Sequence, residues 1–198
     1  MLGVTPSSLA PSMLLSMPQL VDGNFSRTVV LLCKHSEEAG AFGLVVNRPL
    51  LTTGPVVVEM RTPHDPHPKT AATSERELQV WIGGPVEPQR SWILVGHDQD
   101  EDEERRGQRV AGGLYLSTSP DLLQSLLGPT PPARTRLIVG YAGWGPGQLE
   151  AELRASAWLI SDVDRELIFT TPAECMWETA IRRLGAEPAS LQMSRGVH

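Results

Sequence analysis

Cysteine is almost missing from this chain: Cys33 and Cys175 are the two thiols among 198 residues. Far apart in sequence and set in different kinds of element, they argue against a disulfide framework and for a reducing compartment. Long apolar runs are missing as well. No window approaches the roughly eighteen uninterrupted apolar residues that read as a membrane helix. The first dozen residues carry neither a basic n-region nor a continuous apolar h-region. The expected setting is cytoplasmic, with no membrane association. An excess of positive charge is the third absence: 17 Lys and Arg stand against 23 Asp and Glu, a net charge of −6. Gripping phosphate backbones ordinarily takes a clustered basic face. Arg105, Arg106 and Arg109 do cluster, but Asp98, Asp100, Glu101, Asp102, Glu103 and Glu104 precede them and largely cancel the local field. Nucleic acid is accordingly not an expected partner.

What the chain does have is enough apolar material for one core. Apolar residues make up 40% of it, and a chain of this length buries roughly 70% of its unfolded surface. The expected organisation is a disordered leader over residues 1–12, a single domain over 13–186 and a C-terminal tail over 187–198. Residues 28–35 and 42–47 are apolar, β-branched runs separated by a polar loop at 36–41, so they read as a hairpin. Being apolar on both faces, they belong near the middle of a sheet. Pro49 ends the second run because it has no N–H for the ladder. Residues 56–60 suit a short helix or a strand, and residues 61–73, with Pro63, Pro66 and Pro68, read as a loop. Strand signal resumes at 78–82 and 92–95 and returns at 110–117 as a second antiparallel pair. Ser119 and Pro120 open a helix that Gly128 closes. Thr171-Pro172-Ala173-Glu174 has the form of a capping box for a last helix. On that helix Ala173, Trp177, Ala180, Ile181 and Leu184 share a face and leave Cys175 near the surface. Hairpins with a few helices between them point to an α+β fold, mainly antiparallel, rather than a doubly wound parallel sheet.

One junction stands out. The strand Leu137-Ile138-Val139 runs into a glycine-rich turn at residues 140–147, which opens into an amphipathic segment at 148–158. A helix start presents N–H donors, glycines permit close backbone approach, and Tyr141 and Trp144 offer stacking walls. Tyr141, Gly143, Trp144 and Gln148 are therefore candidate contacts for a small anionic or planar ligand. The plain alternative is a sharp turn in which Trp144 and Trp158 plug the core. The glycines match neither dinucleotide nor P-loop spacing, and Glu150 in the first helical turn repels an anion. Asn47, Arg48, Gly83 and Gly84 end two other strands, where loops converge on sites, and Arg27 can join them as an anion clamp. Read plainly, Arg48 is a solvated charge and Asn47 a turn former ahead of Pro49.

Cys33 and His35 are two apart on a strand, which places both side chains on one face about 6.6 Å apart. A thiolate assisted by imidazole is the catalytic pair on offer, with a small buried hydrophobe as the plain alternative. His64-Asp65-Pro66-His67 lacks a second ligand cluster, and Asp98 to Glu104 lacks the glycine of a calcium loop. No metal and no cofactor are expected.

Several motifs recur in a specific order. Leu15-Ser16-Met17-Pro18 is followed by Asp22, Phe25 and Arg27, then Val29-Val30 and Cys33-Lys34-His35, then Gly43-Leu44-Val45-Val46-Asn47-Arg48-Pro49-Leu50. Gly83-Gly84-Pro85-Val86 comes next, then Tyr141-Ala142-Gly143-Trp144, Gly147-Gln148-Leu149-Glu150 and Ala157-Trp158-Leu159. Phe169, Thr171-Pro172, Trp177 and Gly185 complete the series. In this the chain, from about Met13 to Gly185, resembles the YqgE/AlgH family, small bacterial proteins filed as uncharacterised and sometimes labelled transcriptional regulators. The resemblance implies one α+β domain whose bent sheet forms a partial barrel with flanking helices, and implies no settled activity and no cofactor. The chain departs from the family pattern at residues 61–73, in the acidic loop before Arg109 and at Glu174-Cys175-Met176. The expected function is a small-ligand-binding or regulatory domain, with a protein partner also open. The alternatives are a thiol-dependent or hydrolytic enzyme using Cys33 and His35, and a regulator acting on DNA directly or through a partner.

Overall fold

Apolar, β-branched runs near the start of the chain form strands buried along most of their length, and the rest of the first of two compact units is built on them. The computed structural model describes residues 8–20, 22–51, 57–60, 70–73, 78–97 and 107–193. The first unit takes the chain up to Arg48, Trp81–Arg90 and the chain from Val139; the second takes Pro49–Val80 and Ser91–Ile138.

In the first unit, β1 (Ser12–Ser16) is buried along its whole length and lies between β11 (Trp158–Ser161) and β2 (Val29–Ser36). β3 (Gly40–Val45) pairs with β2, and β10 (Thr135–Trp144) with β3, every one of these pairs antiparallel. β6 (Val80–Ile82) also pairs with β10. The hairpin therefore sits inside the sheet, as its two apolar faces require. Its turn is tighter than the sequence suggests. Ser36 pairs with Gly40, so the polar loop shrinks to Glu37, Glu38 and Ala39. Leu14, Val30, Leu32, Val45, Ala142, Trp144 and Trp158 form one buried cluster, closed by Leu149 of α2 (Gln148–Arg154). Leu9 and Ala10 pack on it, so a segment expected as leader carries part of the packing.

Three further departures in this unit have local causes. β10 runs on through Trp144, so Gly140 to Trp144 is strand and the turn is confined to Gly145, Pro146 and Gly147. Gly140 has φ +70°, and a Cβ there would sit 2.4 Å from the Gly84 carbonyl oxygen: the glycine marks two backbones in close approach, not a turn. The segment at 148–158 divides, because α2 stops at Arg154 and Trp158 already belongs to β11. The last long helix (Ala173–Arg183) starts with no side-chain cap, so the capping box is not formed. It follows a helix at Arg165–Thr170 that Asp164 caps by accepting from the Leu167 N–H at 2.9 Å.

β7 (Val86–Gly96) begins in the first unit and ends in the second, where its residues Ile93 to Gly96 pair with β9 (Leu114–Ser117), and β9 pairs with β8 (Gln108–Ala111), all antiparallel. The run at 110–117 is thus two strands, separated where Gly113 takes φ +69°. β4 (Val57–Met60) pairs with β5 (Thr70–Thr73), which makes residues 57–60 strand and gives the end of the proline-rich stretch a ladder. α1 (Pro120–Leu127) is as the sequence specifies, with Ser119 accepting from the Leu122 N–H and Leu123 and Leu126 buried. The whole is α+β with antiparallel pairing. Among the described residues, no helix is long and apolar enough to cross a membrane.

Candidate functional site

Strand alternation in β10 separates the residues of the glycine-rich segment. Ala142 and Trp144 are buried in the core cluster, while Tyr141 and Gly143 lie on the other face. Trp144 is 6% exposed and Trp158 4%. Their rings meet edge to face at 6.0 Å, with Phe25 packed on both at 6.4 and 5.7 Å. Trp144 is thus a core ring and not a stacking wall: a residue three along a strand from Tyr141 points to the opposite side. Glu152, which sequence reasoning passed over, organises this corner. Its Oε2 accepts from both indole N–H groups, at 2.9 Å from Trp144 and 2.7 Å from Trp158. Its Oε1 accepts from the Gln148 amide at 2.8 Å, and Gln148 Oε1 accepts from the Gly145 N–H at 3.0 Å. Gln148 is therefore bound within the α2 start. The i, i+4 spacing of Gln148 and Glu152 was the available signal.

Asn47, Arg48 and Arg27 gather around the loop at 22–28. Asn47 Oδ1 accepts from the Val29 N–H and its Nδ2 donates to the Arg27 carbonyl, each at 2.9 Å. Arg48 donates to the carbonyls of Gly23 (2.9 Å) and Ser26 (3.4 Å). Arg27, held at φ +53°, lies 5.2 Å from the Trp177 ring and pairs with Glu178 at 3.2 Å. The guanidinium groups are spent on carbonyls, a ring and a carboxylate, so the three residues staple a loop where an anion clamp was one reading. Gly83 joins strands, donating to the Val139 carbonyl and accepting from the Val45 N–H, both at 2.8 Å. Gly84, at φ +151°, lies so close to Tyr141 that a Cβ would meet its carbonyl carbon at 2.3 Å.

The pairing of β2 with β3 shifts between Leu32 and Lys34, which leaves Cys33 outside the regular ladder. Burial pushes the Cys33 thiol up to about 12, against a smaller lowering by Lys34, so the thiolate is scarce at neutral pH. The Leu9 N–H donates to His35 Nδ1 at 3.1 Å, and His35 Nε2 lies 2.6 Å from Glu150 Oε1. This pattern assigns the hydrogen to Nε2, with both ring nitrogens occupied. Glu150 is held below the usual carboxylate range, first by its own backbone N–H at the α2 start and then by His35 and Arg154, against desolvation.

The face of β10 opposite Trp144 carries a different group. Phe42 of β3 and Tyr141 are half-buried, with ring centroids 5.1 Å apart and planes tilted by 44°. Gly143 beside them is exposed. In the second unit a cavity of about 950 Å³ is lined by Trp92, Gln108, Ser117, Ser119 and Asp121 among others. Ser117 and Ser119 already accept from backbone N–H groups there, and Asp121 places a negative charge in the first turn of α1. Among the described residues no group of three or more His, Cys, Asp or Glu is placed to hold a metal. His64, Asp65 and His67, and the acidic run from Asp98 to Glu104, lie outside the described residues.

Antiparallel sheet with packed helices defines a small α+β protein of the architecture expected from the sequence. The chain belongs to the AlgH-like family, which matches residues 13–189. A UPF0301 protein of Myxococcus xanthus is 42% identical over 192 residues, covering 96% of this chain and 99% of its own. The UPF0301 protein Smlt1098 of Stenotrophomonas maltophilia is 39% identical over 188 residues, 93% of each. The solution structure of the AlgH protein from Pseudomonas aeruginosa shares 33% identity at a TM-score of 0.67, covering 100% of both chains. A crystal structure from Corynebacterium diphtheriae, 21% identical with TM-score 0.64 over 92% of this chain and 90% of its own, shares the fold.

Proposed function

We propose that this protein is a cytoplasmic ligand-binding or regulatory domain rather than an enzyme, and that it takes a small planar or anionic ligand. The observation that carries this reading is the division of the candidates by the sheet. Against a thiol mechanism stand the Cys33 thiol, pushed up to about 12, and the engagement of both His35 nitrogens. Arg27, Asn47, Arg48, Gly83, Gly84, Trp144 and Gln148 serve the architecture. Tyr141 and Gly143 lie on the sheet face opposite Trp144, beside Phe42, with Tyr141 half-buried and Gly143 exposed. A calorimetric and thermal-shift screen against nucleotides and anionic metabolites tests the reading. Ligand present at a hundred times its Kd raises stability by about 2.7 kcal/mol, readily seen in the melting curve. A flat response across the screen, or a turnover that disappears in Cys33→Ser, counts against it and returns the enzyme reading.

A further inference from the structure

Two hydrogen bonds from the chain ahead of β1 end on one residue of the sheet. The Leu9 N–H donates to His35 Nδ1 at 3.1 Å, and the Ser8 hydroxyl donates to the His35 carbonyl at 3.2 Å. Leu9 and Ala10 then lie against the buried cluster of the first unit. His35 is held from its other side as well: its side chain is 6% exposed, and Nε2 meets Glu150 Oε1 at 2.6 Å. The two ring nitrogens make opposite demands. Nδ1 must keep a lone pair to accept from Leu9, and only the neutral ring has one, whereas the Glu150 carboxylate accepts the Nε2 hydrogen from the neutral and the charged ring alike. A proton added to His35 therefore removes the Leu9 bond and strengthens the Glu150 bond.

We infer that His35 is an acid-operated catch for residues 8–10: a proton on Nδ1 sets two N–H groups against each other, releases the segment and uncovers the part of the buried cluster that Leu9 and Ala10 cover. The groups around the ring decide which way it is biased. On α2, Glu150 faces Nε2, and its own backbone N–H, then His35 and Arg154, hold its carboxyl below the usual range against desolvation, so it stays ionised in mild acid. Glu152 on the same helix is turned to the two indoles, and Arg154 is the cation in its last turn. β3 sets the uncharged Ala41 opposite His35, and residues 8–10 carry no charge. Along β2, Lys34 alternates to the other face, and Glu37 and Glu38 follow in the turn. Glu150 thus favours the charged ring and Leu9 the neutral one. Histidine is the side chain that ordinarily changes charge between about pH 5 and 8. The released form accepts a proton that the fastened form excludes, so the catch holds at high pH and opens as pH falls, by at most about tenfold per unit for one proton.

Nuclear magnetic resonance on the intact, isotope-labelled chain tests this between about pH 5 and 8. The imidazole nitrogen shifts of His35 should show hydrogen on Nε2 alone at the basic end and on both nitrogens at the acid end. Over the same interval the protection of the Leu9 amide, corrected for the intrinsic pH dependence of exchange, should fall by up to about tenfold per unit, with the Leu14 amide in β1 unchanged. Glu150→Gln removes the carboxylate that favours the charged ring, so charging and release both move to lower pH. In His35→Gln the protection of Leu9, whatever its level, is flat across the interval. A His35 ring that stays neutral throughout, or a Leu9 amide that stays protected while the ring charges, overturns the inference, and both are read on the unsubstituted chain with no variant needed. Release at an unchanged pH in Glu150→Gln, or a Leu9 amide that still responds to pH in His35→Gln, overturns it as well.

Discussion

Cys33 shows how one backbone irregularity changes a residue's chemistry. At the pairing shift the Cys33 thiol is placed where its ionised form is poorly solvated, and its titration moves up to about 12 from 9.0. The folded state then holds the thiol proton more tightly than the unfolded chain does. Stability from this group is fully present below about pH 9 and falls as pH rises towards 12. Wild-type protein should lose more stability between pH 8 and pH 10.5 than Cys33→Ala does, as read by urea unfolding. The same shift makes the Cys33 thiolate about a thousandfold rarer at neutral pH than an ordinary one. Cys175 is exposed and should alkylate faster than Cys33. A time course with iodoacetamide, resolved by peptide mass spectrometry, checks both residues, and equal rates at Cys33 and Cys175 would contradict the burial of the first.

Between elements, Glu152 ties α2 to β10 and β11 through two indoles and anchors Gln148 at the helix start. Glutamine in its place has one carbonyl oxygen and an amide that donates, so it cannot receive both indole N–H groups and Gln148 together. Glu152→Gln should cost about 1–3 kcal/mol, the range for a buried donor left without its acceptor. Urea unfolding followed by tryptophan fluorescence reads this directly, and an unchanged midpoint and emission maximum would show that the carboxylate is dispensable. This corner also marks the boundary of what could be read from sequence. The β2 and β3 runs and the Ser119-capped α1 were legible because local pattern and final structure agree. The stretch from Gly140 to Trp158 was not, since its glycines respond to Gly84 and its tryptophans to Glu152, partners that no local period reveals. Phe42 was read only as part of a buried strand, because its ring partner Tyr141 lies on a strand brought alongside by the fold.

At the scale of the molecule, class and charge were the most legible properties. Alternating hairpins and short helices gave the antiparallel α+β class, and composition gave a net charge of −6. The charge bears on the label of transcriptional regulator attached to some proteins of this kind. A protein that neutralises Z phosphates loses affinity with salt at a logarithmic slope of about −0.9Z, and that requires cations gathered on one face. In the first unit Arg27, Arg182 and Arg183 are each paired with a carboxylate, and Arg48 is bonded to carbonyls. Lys34 and Arg154 also stand exposed there, on β2 and α2, too few to follow a duplex backbone. Gel-shift titrations on random and genomic duplex DNA at 50 and 200 mM salt should therefore show no tight complex and no steep salt dependence. A complex whose affinity falls about a thousandfold between those salts would mean that six or more phosphates are neutralised. Such a result would restore direct DNA binding as the function.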